Sequence, residues 1–121
     1  MIRSISIVFP CYNEADRLKY TFKDIKKFQE KKIINNFEII FVNDGSSDNT
    51  FQILKKYKNE NTKLNKRIKV ISYQNNKGKG YALKKGIKIA RFDWILTLDA
   101  DISVSITQLS DWIKHKQIKK E

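Results

Sequence analysis

A chain of 121 residues has room for one domain, and its 40% hydrophobic and 12% aromatic content is enough for a core, which excludes a disordered segment. The 25 Lys and Arg against 13 Asp and Glu leave a formal net charge of +12 and point toward anionic partners. There is no dense arginine block and no aromatic–basic interleaving of the kind that stacks bases, so no nucleic acid is expected; the lysines read as solvated surface or as a face for anionic lipid.

Met1-Ile2-Arg3 runs straight into Ser4–Phe9 without a small-residue cleavage site, so no signal peptide is expected. No apolar run approaches the ~20 residues that a membrane-spanning helix needs. The single Cys11 rules out an internal disulfide and fits a reducing compartment. The expected location is the cytoplasm, or a peripheral position on the cytoplasmic face of a membrane.

Ile5–Phe9 has the apolar run of a buried strand and ends at Pro10, whose missing N–H suits a strand end. From Ala15 to about Lys32, Leu18, Phe22, Ile25 and Phe28 recur every three or four residues, which predicts an amphipathic helix with lysines on its outer side. Phe37–Val42 is the second strand, closed by the turn signal Asn43-Asp44-Gly45-Ser46. Asp48 is placed to cap a helix with Phe51, Leu54 and Tyr57 inward. A polar loop over Asn59–Lys66 leads to a third strand at Ile68–Tyr73. The glycine-bearing stretch Asn75–Gly80 opens a helix over Tyr81–Ala90, with Leu83, Ile87 and Ala90 inward. Trp94–Leu98 is a fourth strand and meets Asp99-Ala100-Asp101 directly. Ser105-Ile106-Thr107-Gln108 matches a capping box and predicts a last helix with Leu109, Trp112 and Ile113 packing; the charged Lys114–Glu121 end is expected to fray.

Alternating strands and helices predict an α/β fold, a mostly parallel sheet flanked by helices, with the whole of residues 1–121 in one domain. Ligands of such sheets gather at the carboxyl ends of the strands. Here those ends carry Pro10-Cys11-Tyr12-Asn13-Glu14, Asn43–Asp48, Lys77–Gly80 and Asp99-Ala100-Asp101, four polar segments that one edge would collect into one crevice. Asp99 and Asp101, one residue apart after an apolar strand, suit Mg²⁺ or Mn²⁺ shared with phosphate oxygens; a polar loop with a helix cap is the alternative. Leu83 stands where a third glycine would complete a dinucleotide fingerprint, and no P-loop occurs. Cys11 and the distant His115 make a poor nucleophile–base pair, and Cys and His are too few for zinc.

Taken together, Pro10–Glu14, Val42–Asp48, Asn76–Gly80 and Asp99–Asp101 resemble the successive signatures of family-2 glycosyltransferases of the GT-A (Rossmann-like) fold. Gly78-Lys79-Gly80 and Asp99–Ser103 are most similar to dolichyl- or polyprenyl-phosphate sugar transferases, notably the glucosyl type. The resemblance runs from Ser6 to about Ser103. It implies an inverting hexosyltransferase whose donor is a nucleotide sugar such as UDP-glucose or GDP-mannose. Pro10, Tyr12 and Glu14 would line the nucleotide pocket, and Gly45 and Ala100 would join them in binding the nucleotide sugar. Asp44 would accept from the base, and Lys79 would approach the diphosphate. Asp99 would face the ribose and metal, and Asp101 would hold Mg²⁺ or Mn²⁺; these two are the implied catalytic and metal residues. On the residues alone, Asp44 also reads as a turn-former and Lys79 as one more exposed lysine. Asn43 stands where the family often has Asp, and no role is assigned to it.

In such transferases an acceptor-binding half follows the Asp-x-Asp motif, so this sequence reads as the donor-binding part, truncated after that motif. An acceptor such as a polyprenyl or dolichyl phosphate is already anionic and needs no general base, whereas the hydroxyl of a growing glycan does. Three readings therefore stand: a transferase, a sugar-nucleotide-binding fragment that depends on a partner chain or self-association, and a basic nucleic-acid-binding domain.

Overall fold

The computed structural model describes residues 3–32 and 34–99. Four strands, β1 (Ser4–Cys11), β2 (Asn36–Asp44), β3 (Ile68–Tyr73) and β4 (Ile95–Thr97), alternate with α1 (Leu18–Lys31), α2 (Thr50–Glu60) and α3 (Lys79–Ile89). All pairings are parallel and the spatial order is β3-β2-β1-β4. The chain thus builds outward from β1 through β2 to β3, then crosses back to place β4 on the other side of β1. The expected α/β class and strand positions agree with this arrangement. The last expected helix, with Leu109, Trp112 and Ile113, lies outside the described residues.

Strand alternation divides the core in two. Ile5, Ile7, Phe9 and Cys11 of β1, with Phe37, Ile39 and Phe41 of β2, pack against Leu18, Ile25 and Phe28 of α1 and Leu54 of α2. Val8, Ile40 and Val42 point the other way, against Ala82 of α3. Both faces are covered, which is why these strands read as continuous apolar runs. Each fully buried aromatic or aliphatic side chain contributes about 2 kcal/mol. Among the described residues, no helix is long and apolar enough to cross a membrane.

Element ends shift by one to three residues from expectation, and in the following places a local reason is visible. β2 runs on through Asn43 and Asp44, because both pair with β3, at Ser72 and Tyr73. α1 starts at Leu18 rather than Ala15, since Glu14 N donates to Thr50 Oγ1 and Ala15 N to Asp48 Oδ2, which holds both out of the helix. The polar loop after α2 contains a buried Leu64 and a 3-10 turn at Asn65–Arg67.

The inward face of α3 is also different. Ala82 and Gly86 are buried, while Leu83 and Ala90 pack at the side and Ile87 is 43% exposed. A Cβ on Gly86 would lie 2.4 Å from Val8 Cγ1, so the helix rides close on the sheet at its smallest residue. A contact made by small residues leaves no apolar periodicity to read.

At the amino ends of the strands a buried carboxylate ties the α3–β4 connection to the sheet. Glu38 Oε2 accepts from Ser6 Oγ and Arg91 N, both at 2.5 Å, and Ser6 Oγ accepts from Phe92 N at 3.2 Å. Lys69 Nζ lies 2.8 Å from Oε1 as an ion pair rather than an aligned hydrogen bond. Burial alone would raise the Glu38 pKa, but the Arg91 N–H, Lys69 and Ser6 hold it below its ordinary value of 4.5. The ionised form is therefore the one that stabilises the fold. That contribution is complete above pH 4.5 and is lost as pH falls through the lower folded value. Glu38→Gln is expected to cost about 2–3 kcal/mol at neutral pH, because Lys69 and the Arg91 N–H lose their charged acceptor. The gap from wild type should narrow below the carboxylate range; urea titrations across pH 3–8 read it, and a constant gap would refute the ionic origin.

Candidate functional site

The carboxyl ends of β1, β2 and β4 and the loop after β3 meet around one cavity of about 330 Å³. Pro10 and Cys11 line it from the end of β1, Tyr12 and Glu14 from the loop that follows, and Asp44 from the end of β2. Asn76, Gly78 and Lys79 come from the loop and first turn of α3, and Asp99 from the end of β4. The cavity stands where the strand order turns back at β1, the place at which open α/β sheets bind ligands. Of the site residues expected from sequence, Pro10, Tyr12, Glu14, Asp44, Lys79 and Asp99 are together here. Ala100 and Asp101 lie outside the described residues.

Gly45 directly follows β2 and does not line the cavity. Its φ is +64°, and a Cβ there would stand 2.3 Å from Asn76 N and 2.4 Å from Asn75 C. The glycine lets the loop after β3 lie directly on the end of β2.

Asp44 explains why that loop comes so close. Its side chain is buried, and its two oxygens take four hydrogen bonds. Tyr73 O–H (2.6 Å) and Lys77 N (2.9 Å) donate to Oδ1; Asn76 Nδ2 (2.9 Å) and Gly78 N (3.0 Å) donate to Oδ2. A carboxylate offers about four acceptor sites, so these are filled by the protein itself. Burial, with the Asp44 carboxylate beside it, raises the Tyr73 phenol well above its ordinary value and keeps it a donor. Gly78, at φ +96°, then turns the chain into α3. Asp44 thus anchors the segment that carries Lys79, a role the turn motif did not reveal.

A second clamp joins the loops after β1 and β2. Asn13, at φ 52°, accepts at Oδ1 from Ser47 N (2.8 Å) and Asp48 N (3.3 Å). Its own N–H donates to Ser46 Oγ at 3.0 Å. Asparagine tolerates a positive φ, and that was the available signal for this residue. Asn49, not Asp48, is the N-cap of α2 and makes no side-chain cap bond; Asp48 instead accepts from Thr50 N and Thr50 Oγ1 one position earlier. Burial alone would raise the Asp48 pKa, but the bonds from Thr50 and Ala15 hold it below the ordinary value. Asn43 is buried, donating to Ser72 Oγ and accepting from Ser46.

Charge in the cavity is paired. Lys79 Nζ lies 2.6 Å from Asp99 Oδ1, with side chains 61% and 50% exposed. Glu14 Oε2 lies 3.3 Å from Arg17 Nη1. Tyr12, also at the cavity, is 47% exposed. Cys11 is buried, and burial followed by the Glu14 charge raises its thiol far above its ordinary value and favours the protonated form. Among the described residues, no three His, Cys, Asp or Glu side chains form a metal cluster. A site of one or two carboxylates plus phosphate oxygens does not need such a cluster. Asp99 fits one: it is open to the cavity and already draws a cation, the Lys79 ammonium, to its oxygen.

The family profile "Glycosyl transferase family 2" matches residues 6–118. The chain belongs to this glycosyltransferase family. The family's poly-beta-1,6-N-acetyl-D-glucosamine synthase of Staphylococcus aureus is 38% identical over 104 residues, 85% of this chain and 23% of that protein. The dolichyl-phosphate beta-glucosyltransferase of Saccharomyces cerevisiae is 38% identical over 98 residues, 80% of this chain and 29% of that protein. The chain therefore spans about a quarter of the length of these curated relatives. Solved structures show the GT-A fold. The mannosyltransferase PcManGT of Pyrobaculum calidifontis, in complex with GDP-Man and Mn²⁺, has a TM-score of 0.76 at 21% identity, covering 91% of this chain and 31% of that one. Staphylococcus aureus TarS, in complex with UDP-GlcNAc, has a TM-score of 0.70 at 25% identity, covering 94% and 32%.

Proposed function

We propose that residues 1–121 form the donor-binding part of an inverting glycosyltransferase that takes a nucleotide sugar such as UDP-glucose or GDP-mannose. The observation that supports it best is the meeting of Glu14, Asp44, Lys79 and Asp99 around one cavity at the strand-order reversal. In this reading Tyr12 and Pro10 receive the base, with Asp44 beside it, and Lys79 lies toward the diphosphate. Asp99 and Asp101 hold Mg²⁺ or Mn²⁺. The cation, when bound, supplies Lewis-acid neutralisation of the departing nucleoside diphosphate. For the base to bond to Asp44, one of that residue's four internal donors must yield; otherwise Asp44 acts through the loop it holds. Gly45 and Ala100 contribute backbone shape.

The acceptor we favour is a polyprenyl or dolichyl phosphate, which brings its own anionic nucleophile; the similarity to the yeast dolichyl-phosphate enzyme supports this. A growing glycan is the second acceptor class, in line with the staphylococcal synthase. A basic surface suits a cytoplasmic site at the face of an anionic membrane.

Calorimetric titration with UDP-glucose and GDP-mannose, with and without Mn²⁺, tests the donor site. Wild type is expected to bind one of them in a Mn²⁺-dependent way, and Asp101→Ala to lose at least tenfold in affinity. Equal binding by Asp101→Ala would remove the metal assignment. Release of nucleoside diphosphate on adding a polyprenyl phosphate separates turnover from binding alone.

A further inference from the structure

The pair formed by Lys79 and Asp99 joins two elements, the first residue of α3 and the end of β4. Both side chains border the donor cavity and both are more than half open or nearly so, at 61% and 50% exposure. The backbone beneath Lys79 is fixed, since Lys77 N and Gly78 N are held by Asp44. Only the side chain is free to move, and lysine is suited to that: a point charge on a flexible four-carbon stem, without the fixed fork of arginine.

We propose that Lys79 is an exchangeable cation. It neutralises Asp99 while no divalent ion is present, and on arrival of metal and nucleoside diphosphate it gives up Asp99 and pairs with the diphosphate. The inference rests on the sugar-nucleotide reading above and adds to it a second position for one residue. The physical drive is charge balance. A divalent ion and an ammonium on one carboxylate stand within a few ångströms of each other, and their mutual repulsion weakens both contacts. The diphosphate brings several negative charges into the same cavity and offers the released ammonium a stronger partner. Exposure keeps the exchange inexpensive: ion pairs this open shift an equilibrium by about two- to fivefold. A buried pair would lock the site against the metal.

The test uses wild type, Lys79→Gln and Lys84→Gln, the last removing an exposed lysine of the same helix. Mn²⁺ binding without nucleotide is read from the electron-paramagnetic signal of the free ion, and UDP binding with saturating Mn²⁺ by calorimetry. Lys79→Gln is expected to bind Mn²⁺ alone about two- to fivefold more tightly and UDP about tenfold more weakly. The two changes have opposite signs, which a misfolded variant does not produce; a general loss of one positive charge gives the same signs, and Lys84→Gln measures that contribution. Unchanged or weaker Mn²⁺ binding by Lys79→Gln overturns the proposal, as does an equal gain in Lys84→Gln. Unchanged UDP binding overturns the transfer to diphosphate. Failure of the wild type to bind either UDP or GDP, the latter titrated in the same way, removes the sugar-nucleotide reading instead, whereas nucleotide binding with no Mn²⁺ response in Lys79→Gln removes only the exchange.

Discussion

Replacing Gly45 by alanine is expected to lower the unfolding free energy by about 3–5 kcal/mol, the largest effect of any single methyl group added near the site. Two costs combine. The φ of +64° is one that a residue with a Cβ adopts only at a penalty, and the new carbon would stand 2.3 Å from Asn76 N and 2.4 Å from Asn75 C. Those are backbone atoms, so no rotamer change relieves the overlap. The loop after β3 must lift, and the bonds from Asn76, Lys77 and Gly78 to Asp44 must stretch with it. Equilibrium urea unfolding measures the loss. Gly45→Asn separates the two costs: asparagine accepts the positive φ but keeps the Cβ, so it should be nearly as harmful. A loss below about 1 kcal/mol in Gly45→Ala would mean that the loop does not lie where the structure puts it.

Asp44→Ala is expected to cost about 3 kcal/mol of stability and about 100-fold in donor affinity together. The coupling of the two is the point. If Asp44 only touched the base, its removal would weaken binding and leave unfolding unchanged. Because its carboxylate carries Tyr73 O–H, Asn76 Nδ2, Lys77 N and Gly78 N, its loss also frees the segment that leads into α3 and aims Lys79. Tyr73→Phe removes one of the four donors and should reproduce a fraction of both effects, about 1 kcal/mol in stability. Paired unfolding curves and nucleotide titrations decide it; a purely functional loss in Asp44→Ala would reject the anchoring role. Asp44 and Gly45 act on the same loop, so the double variant should fall well short of the sum.

These two residues also mark how far the sequence could be read. The segment Asn43-Asp44-Gly45-Ser46 announces a turn, and its resemblance to a family signature suggests a nucleotide contact. Neither discloses that Asp44 holds the loop after β3, because the donors come from Tyr73 to Gly78, far along the chain. Asn13 is similar. Its place after a strand is visible, but its acceptance from Ser47 N and Asp48 N depends on two loops meeting in space. Lys79 could be named from the Gly78-Lys79-Gly80 motif, whereas its pairing with Asp99 required β4 to land beside β1.

What the sequence determined by itself was the set of elements and their class. Apolar runs such as Ile5–Phe9 and Phe37–Val42 alternate with helical spacings such as Leu18, Phe22, Ile25 and Phe28, and solvent exposure enforces those periods wherever they occur. It also determined which strand ends carry chemistry, since polar and glycine residues there have no place in a buried strand. What only the tertiary structure decided was adjacency: the order β3-β2-β1-β4, the small-residue face of α3, the buried Glu38 cluster and the Asp44 anchor. Local periodicity reports how a residue meets solvent, while a hydrogen bond or close approach between distant segments depends on which partner the packed sheet brings to it.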